Sequence, residues 1–483
     1  MYYPIDQIKM HPTSARRAPS NSAQASSRST SITGALYDNL FSFEIVFMLY
    51  FFSNVFQFIL PATPVDLTYV WLAMSVIFGL LIILNSGIYL PGLTLVSSCL
   101  PWLLWTNASV LWTPSVTQAW TYLKIINFVN VWCLIVGAMI ISQKRERMLR
   151  FLKLMIIFSV VVAAIGVFIY LRYGSFKFAG WAGQGRVYNS WGRSVANGAV
   201  IMTVIFFRSR LFTLRQAVTG GLLGLCVLFV LLSSSRSALL SVITPCIFYW
   251  FIVLLPLGRK GIKMMQGALL MPIILLCVST SIIILVYSGR HIDTIARMRQ
   301  VVVQSNDPDM VTGANRWAYY SAAVKLIFQS PINGHGVRSF APLYKHNEVE
   351  GTQPHNIFLE ILSDTGVIGF LLFLLFLYVA MRPLQLQRLR TDPMLLAVAM
   401  LFVSRFTAVQ FGEDISGQQE IFVFIGLLAL CPSSVGVDAP SSGPVSTRVG
   451  KNRDGVDTRA GRPEGAPSNC RPLGLRRPSC QRR

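Results

Sequence analysis

The sequence predicts an all-α, polytopic membrane protein with about 12 transmembrane helices and one large, partly helical loop before the tenth. Three observations carry that prediction. The 483 residues are 53% hydrophobic and 13% charged, with a mean hydropathy of +0.55, whereas a soluble chain carries about 25% charged residues. Apolar runs repeatedly approach the roughly 20 residues that carry a helix across about 30 Å of hydrocarbon. Lys and Arg are distributed between the short loops with a strong side preference.

Residues 1–40 are polar and Ser-rich, with no apolar stretch ahead of the first span. They are expected to form a disordered cytoplasmic tail and not a cleaved signal peptide. The membrane domain is expected over 41–434, with spans at 41–60, 68–85, 89–105, 119–142, 153–171, 194–207, 216–232, 238–256, 265–287, 355–380, 393–409 and 419–434. The sixth is short and the last opens on polar residues. Residues 435–483 are rich in Gly, Pro, Ser and Arg and are expected to form a second disordered, basic cytoplasmic tail.

With the N-terminus cytoplasmic, the inner loops hold Lys144, Arg145 and Arg147, then Arg208 and Arg210, Arg259 and Lys260, and Arg388 and Arg390. The opposite loops 61–67 and 106–118 contain no Lys or Arg. This bias predicts an even number of spans and both termini inside. The net charge of +22 is then mostly topology, and nothing supplies the groove-reading surface that nucleic-acid binding needs. None of the eight cysteines falls in an outer loop, and no CxxC spacing occurs; a disulfide framework and a cysteine metal site are not expected.

The loops are unequal. Residues 172–193 form a longer one, and 288–354, about 67 residues on the outer side, is much the longest. A loop of that length in a compact protein is functional or disordered. This one contains two stretches with helical apolar spacing, Ile292–Val303 and Asn315–Phe328, then a turn-rich Ser330–Gly336. It also holds, or ends at, four of the five histidines: His291, His335, His346 and His355.

Charged residues where hydrophobicity disfavours them mark the candidate chemistry. Arg236 stands among serines at the outer junction of two apolar spans, where a snorkelling role is the plain alternative. Arg316 heads a run in which Arg316, Tyr320, Ala323 and Ile327 share one face, as in an amphipathic helix lying at the membrane surface; a solvated charge is its plain alternative. Arg172, Arg186, Arg193 and Arg338 add outer basic charge. Guanidinium groups around one cavity suit an anionic ligand, because their planar forks bind phosphate in pairs. His355 follows Pro354 at the mouth of the tenth span, where a neutral imidazole can serve as a general base. Glu360 and Asp364 share a face one to two turns deeper. Buried charges in a membrane are usually paired, so Arg405 is expected to pair with Glu360 or Asp364 and support the site.

These residues resemble the bacterial O-antigen ligase and O-antigen/exopolysaccharide polymerase superfamily. The resemblance rests on Arg236 and Leu240 with three residues between them, on Asn315-Arg316, on Ser330-Pro-Ile-Asn-Gly-His-Gly336 with Phe340, and on His355-Asn356 followed by Gly366 and Gly369. It spans roughly 40–434. It implies a multi-pass bacterial inner-membrane enzyme with its large loop in the periplasm: a metal-independent, inverting glycosyltransferase using an undecaprenyl-diphosphate-linked oligosaccharide, with no cofactor. His355, Arg316 and Arg236 would be catalytic. Arg338, Arg186, Arg193, Tyr320 and Asn356 are expected against substrate, and Arg405, Glu360, Asp364, Gly334, Gly336 and Gly366 as structural support. Phe370 stands where ligases often carry Thr, which favours a polymerase over a ligase acting on lipid A–core. A polysaccharide transporter or flippase is the reading from another class. No internal repeat supports it, and the polar residues crowd one face.

Overall fold

The structure, a computed structural model, describes residues 42–53, 55, 66–173, 187–209, 213–233, 235–254, 313–345, 353–411 and 415–432, and every regular element among them is helical. Both predicted tails, the ninth predicted span, residues 288–312 and 346–352 of the large loop, and Arg186 lie outside the described residues, as does the side chain of Arg236. In chain order the helices are α1 (Phe43–Phe51), α2 (Leu67–Ser86), α3 (Leu90–Ala108), α4 (Val116–Ile141), α5 (Arg145–Tyr173), α6 (Val187–Arg208) and α7 (Leu214–Leu232). There follow α8 (Arg236–Tyr249), α9 (Gly313–Gln329), α10 (Phe340–Lys345), α11 (Ile357–Met381), α12 (Leu386–Thr391), α13 (Pro393–Val409) and α14 (Gln419–Ala429).

Five of these, α2, α4, α5, α7 and α11, are long and apolar enough to cross a membrane by length and composition. Shorter apolar helices cover Ser237–Val253, Pro393–Val409 and Gln419–Ala429. Each predicted span within the described residues meets a helix, but by that measure the described helices fall short of twelve spans.

Helix starts follow their capping residues. Asp66 accepts from the Thr68 amide at 2.8 Å to open α2. Asp392, followed by Pro393, accepts from the Met394 amide at 2.9 Å to open α13. Both satisfy donors that a first turn leaves orphaned.

The bundle buries a core of large side chains such as Phe47, Trp102, Phe373 and Phe422, but the packing of α2 is inverted relative to a soluble bundle. α2 exposes Tyr69, Ile77, Leu81 and Leu84 while burying Ser75 and Gly79, and the Trp132 indole donates to the Ser75 hydroxyl at 2.8 Å. Small and weakly polar residues facing inward and large apolar ones facing outward are what lipid selects. α4 and α14 come close enough that a Cβ at Gly137 would overlap the Val423 carbonyl, and one at Gly426 the Ala138 amide. α6 packs against α5, α7, α8 and α13, and α11 against α3, α9 and α14.

The described basic residues of the predicted inner loops gather at one end. There Arg145 pairs with Asp392 at 3.4 Å, and Arg150 with Glu44 at 3.3 Å. Arg388 donates to the Cys431 carbonyl at 3.1 Å and Arg390 to the Ile252 carbonyl at 3.0 Å. α9, α10 and the start of α11 lie at the other end of the helices they pack on.

Candidate functional site

The site is built on a break in α11. At Gly366 the backbone leaves the helix, with φ 67° and ψ −170°, so carbonyls before the break and amides after it lose their helical partners. Residues 331–336 supply replacements. The His335 and Gly336 amides donate to the Ser363 and Asp364 carbonyls at 2.9 and 2.8 Å. The Val367 and Ile368 amides donate to the Pro331 and Ile332 carbonyls at 2.8 and 3.3 Å. The two backbones are so close that a Cβ at Gly334 would overlap the Asp364 carbonyl, and one at Gly366 the Ile332 carbonyl. Both glycines have positive φ, so they meet a conformational and a steric demand together. The end of α3 holds the far side: the Trp105 indole donates to the Thr365 carbonyl at 2.9 Å, and the Thr113 hydroxyl to the Val337 carbonyl at 2.7 Å.

Just above the break, Asn356 caps α11, its amide oxygen accepting from the Phe358 and Leu359 amides, both at 3.1 Å. Its side-chain oxygen is therefore engaged in holding the helix that carries His355. His355 has φ 55°, in the left-handed region that few non-glycine residues adopt and that His, with Asn and Asp, enters more readily than most. Its ring lies against Tyr319, with centroids 6.1 Å apart. Tyr319 in turn meets Phe340 and Tyr344 edge-on, at 6.1 and 5.4 Å, in a small separate core that α9 and α10 form over α11. Arg316 lies one turn before Tyr319 on α9. It is half-buried, and its Nε has no hydrogen-bond partner among the described residues. Tyr320 is half-buried beside Trp317, rings 6.1 Å apart.

Arg338, a second non-glycine residue with positive φ (63°), joins three elements. Its amide donates to Asp364 Oδ2 at 2.8 Å, its Nη1 donates to Gln353 Oε1 at 3.2 Å, and its guanidinium stands over the Tyr122 ring at 5.3 Å. Asp364 also accepts from the Ser339 hydroxyl at 3.0 Å, and Glu360 from the Tyr122 hydroxyl at 3.1 Å. Both carboxylates are 4% exposed. With Gln118, Gln353, Pro354 and Arg338 they line a small cleft. Both carboxylates are held there by hydrogen bonds from Tyr122, Arg338 and Ser339. His335 is structural, its Nε2 2.9 Å from the Leu326 carbonyl at the end of α9.

Arg405 corrects the predicted pairing. It forms an ion pair with Glu420 on α14, not with Glu360 or Asp364, and donates to Asn197 Oδ1 at 3.1 Å and to the Arg193 carbonyl at 2.9 Å. It therefore braces α6 against α13 and α14. Arg193, 5% exposed, belongs to this brace. A Cβ at the adjacent Gly192 would press on Ser233 and Ala238, which sets the brace beside the turn that begins α8 with Arg236. Ser235 caps that turn, accepting from the Ala238 amide at 3.3 Å. The Phe358 and Phe406 rings, 5.7 Å apart, link the brace to the His355 end of α11. Tyr319, one turn after Arg316 on α9, is thus set against His355, Arg338 sits at the cleft, and Arg193 and Arg405 sit in the helical bundle.

Sequence reasoning did not single out Tyr319, Tyr122, Gln118, Trp105, Ser339 or Glu420. Glu420 alone left a signal, as the acidic residue in the polar start of the last span.

Residues 221–374 match the family model described as O-antigen ligase. The matched stretch contains Arg236, Arg316, His355, Gly366 and Gly369, and it supports the O-antigen ligase/polymerase superfamily, a glycosyltransferase-like class. No curated protein matches the chain.

Proposed function

We propose that the chain is a bacterial inner-membrane glycan transferase. On this reading it moves glycan from an undecaprenyl-diphosphate donor to an acceptor hydroxyl on the periplasmic face, as an O-antigen or exopolysaccharide polymerase. The observation that carries the reading is the seating of α9 on α11, with the half-buried Arg316 one turn from Tyr319 and the Tyr319 ring against His355. The topology that goes with it has a dozen spans over 41–434, both tails cytoplasmic and 288–354 periplasmic. The basic rim at the opposite end of the helices supports that orientation.

In the transfer step the acceptor oxygen bonds to the anomeric carbon as the bond from that carbon to the diphosphate oxygen breaks. Undecaprenyl diphosphate leaves with the bonding electrons, and the configuration inverts. The hydroxyl proton passes to His355. Arg316, together with Arg236 at the start of α8, balances the charge that grows on the diphosphate, so the reading requires no metal.

Phe370 favours polymerase. The family description favours the second reading, a ligase that transfers finished glycan to lipid A–core.

The test is reconstitution with undecaprenyl-diphosphate-linked oligosaccharide, comparing the wild-type chain with His355→Ala and Arg316→Ala. Both variants are expected to lose transfer; unimpaired transfer by both overturns the reading. Supplying repeat-unit acceptor and lipid A–core acceptor in separate reactions separates polymerase from ligase. Transfer abolished by a chelator removes the metal-independent step.

A further inference from the structure

α9 has a face that no described residue covers. At 100° per residue, Trp317, Val324 and Phe328 fall within about 40° of one another, and they are 75%, 40% and 79% exposed. Ser321, Lys325 and Gln329 border this stripe on one side and are also exposed. The opposite side carries the buried Tyr319, Ala323 and Leu326. The exposed stripe therefore lies away from the face expected from Arg316, Tyr320, Ala323 and Ile327.

The stripe continues onto a membrane-crossing helix. Ile332, 64% exposed, follows α9, and its carbonyl accepts from the Ile368 amide at 3.3 Å. Next to that bond begins the outward face of α11: Val367, Leu371, Leu375 and Tyr378, exposed by 42%, 57%, 51% and 64%. From Val367 to Met381 this face covers about 21 Å at 1.5 Å per residue, against about 30 Å of hydrocarbon. The missing ~9 Å matches the ~10 Å diameter of one helix laid across the top. The part of α11 above Gly366 does not fill the gap, since it carries the buried Glu360, Ser363, Asp364 and Thr365.

We infer that α9 lies flat in the outer interface of the bilayer, with Trp317, Val324, Phe328 and Ile332 among lipid hydrocarbon chains and Ser321, Lys325 and Gln329 toward water. Trp at this depth is where an amphipathic ring is most stable. α9 is then a wall one helix thick, with lipid on one side and the Tyr319–His355 contact on the other. The inference rests on α11 crossing the membrane and does not require glycan transfer.

The full-length chain and its Trp317→Phe variant, each in lipid nanodiscs, isolate the Trp317 emission by subtraction. Phosphatidylcholine brominated near the carbonyl end of its chains is expected to quench that emission strongly. Bromines near the methyl end should quench it weakly, and aqueous acrylamide hardly at all. Acrylamide quenching without bromine quenching would mean a water-facing stripe. Quenching by neither would mean that protein, such as a second copy of this chain, covers it. Either result overturns the inference. Adding Phe328→Trp to Trp317→Phe should restore lipid-quenched emission, a check that does not depend on one position. Quenching is read without turnover, so an inactive protein with a lipid-quenched Trp317 would count against glycan transfer alone.

Discussion

The ring of His355 lies 6.1 Å from that of Tyr319, the planes inclined by 45°. The two residues come from segments 36 positions apart in sequence, and their contact fixes where the histidine stands relative to Arg316. Tyr319 touches no reacting atom in the proposed step, so it is a positioning residue. Tyr319→Ala removes the ring that meets His355, Phe340 and Tyr344. It should lower kcat for glycan transfer at least about tenfold, roughly 1.4 kcal/mol of barrier, with a small change in KM. Tyr319→Phe keeps the ring and should stay within about threefold of wild type, since threefold is well under 1 kcal/mol. Equal losses in both variants would assign the role to the hydroxyl.

Gly366→Ala should be among the most damaging single-methyl changes in the protein. The new Cβ would overlap the Ile332 carbonyl at a backbone φ of 67°, and strain of this kind costs on the order of 1–3 kcal/mol before any steric shift. Gly221→Ala on α7 is the matched control: its Cβ would meet nothing within 4 Å. Alanine at a helical position is favoured by up to about 1 kcal/mol. Thermal unfolding in detergent should show a lowered midpoint for the first and an unchanged or raised one for the second.

Arg405→Leu should destabilise by about 3–5 kcal/mol, the usual cost of leaving a buried partner charge uncompensated. Glu420→Leu in the same chain removes that stranded charge and should recover a large part of the loss. Unfolding midpoints of the two single variants and the double variant test this. A double variant less stable than Arg405→Leu alone would mean that Glu420 is held by groups other than Arg405.

Asp364→Ala leaves the Arg338 amide and the Ser339 hydroxyl without their acceptor. A buried donor left unpaired costs about 1–3 kcal/mol. Hydrogen exchange at the Arg338 amide should accelerate, while exchange in α13 stays unchanged. Equal acceleration in both would point to global unfolding.

Most helices were legible because an apolar run near membrane length leaves few other structures open to it. Apolar length alone accounts for α2, α4, α5, α7 and α11. The break in α11 was legible only as a spacing of Gly366 after His355 and Asn356. Its joint with 331–336 was not, because amides and carbonyls make it and leave no side-chain pattern. The inward face of α9 was placed by following Arg316. Packing chose Tyr319, Ala323 and Leu326, turned by about 60°, because apolar contact outweighs keeping one charge on the buried edge. The partner of Arg405 was sought on the neighbouring span by depth. Glu420 sits at the start of the next helix, beside the end of α13 that carries Arg405, a placement that follows where successive helices run antiparallel.

The joint at Gly366 also divides α11 in time. Val367 to Met381 hold their helix largely by themselves once in lipid, where unsatisfied backbone groups are costly. Ile357 to Thr365 end on carbonyls that accept from the His335 and Gly336 amides and from the Trp105 indole. The segment next to His355 is therefore expected to share the local stability of the loop more than that of the stretch after Gly366. Hydrogen exchange is expected to resolve the two stretches as separate cooperative units on slow timescales, one on each side of Gly366.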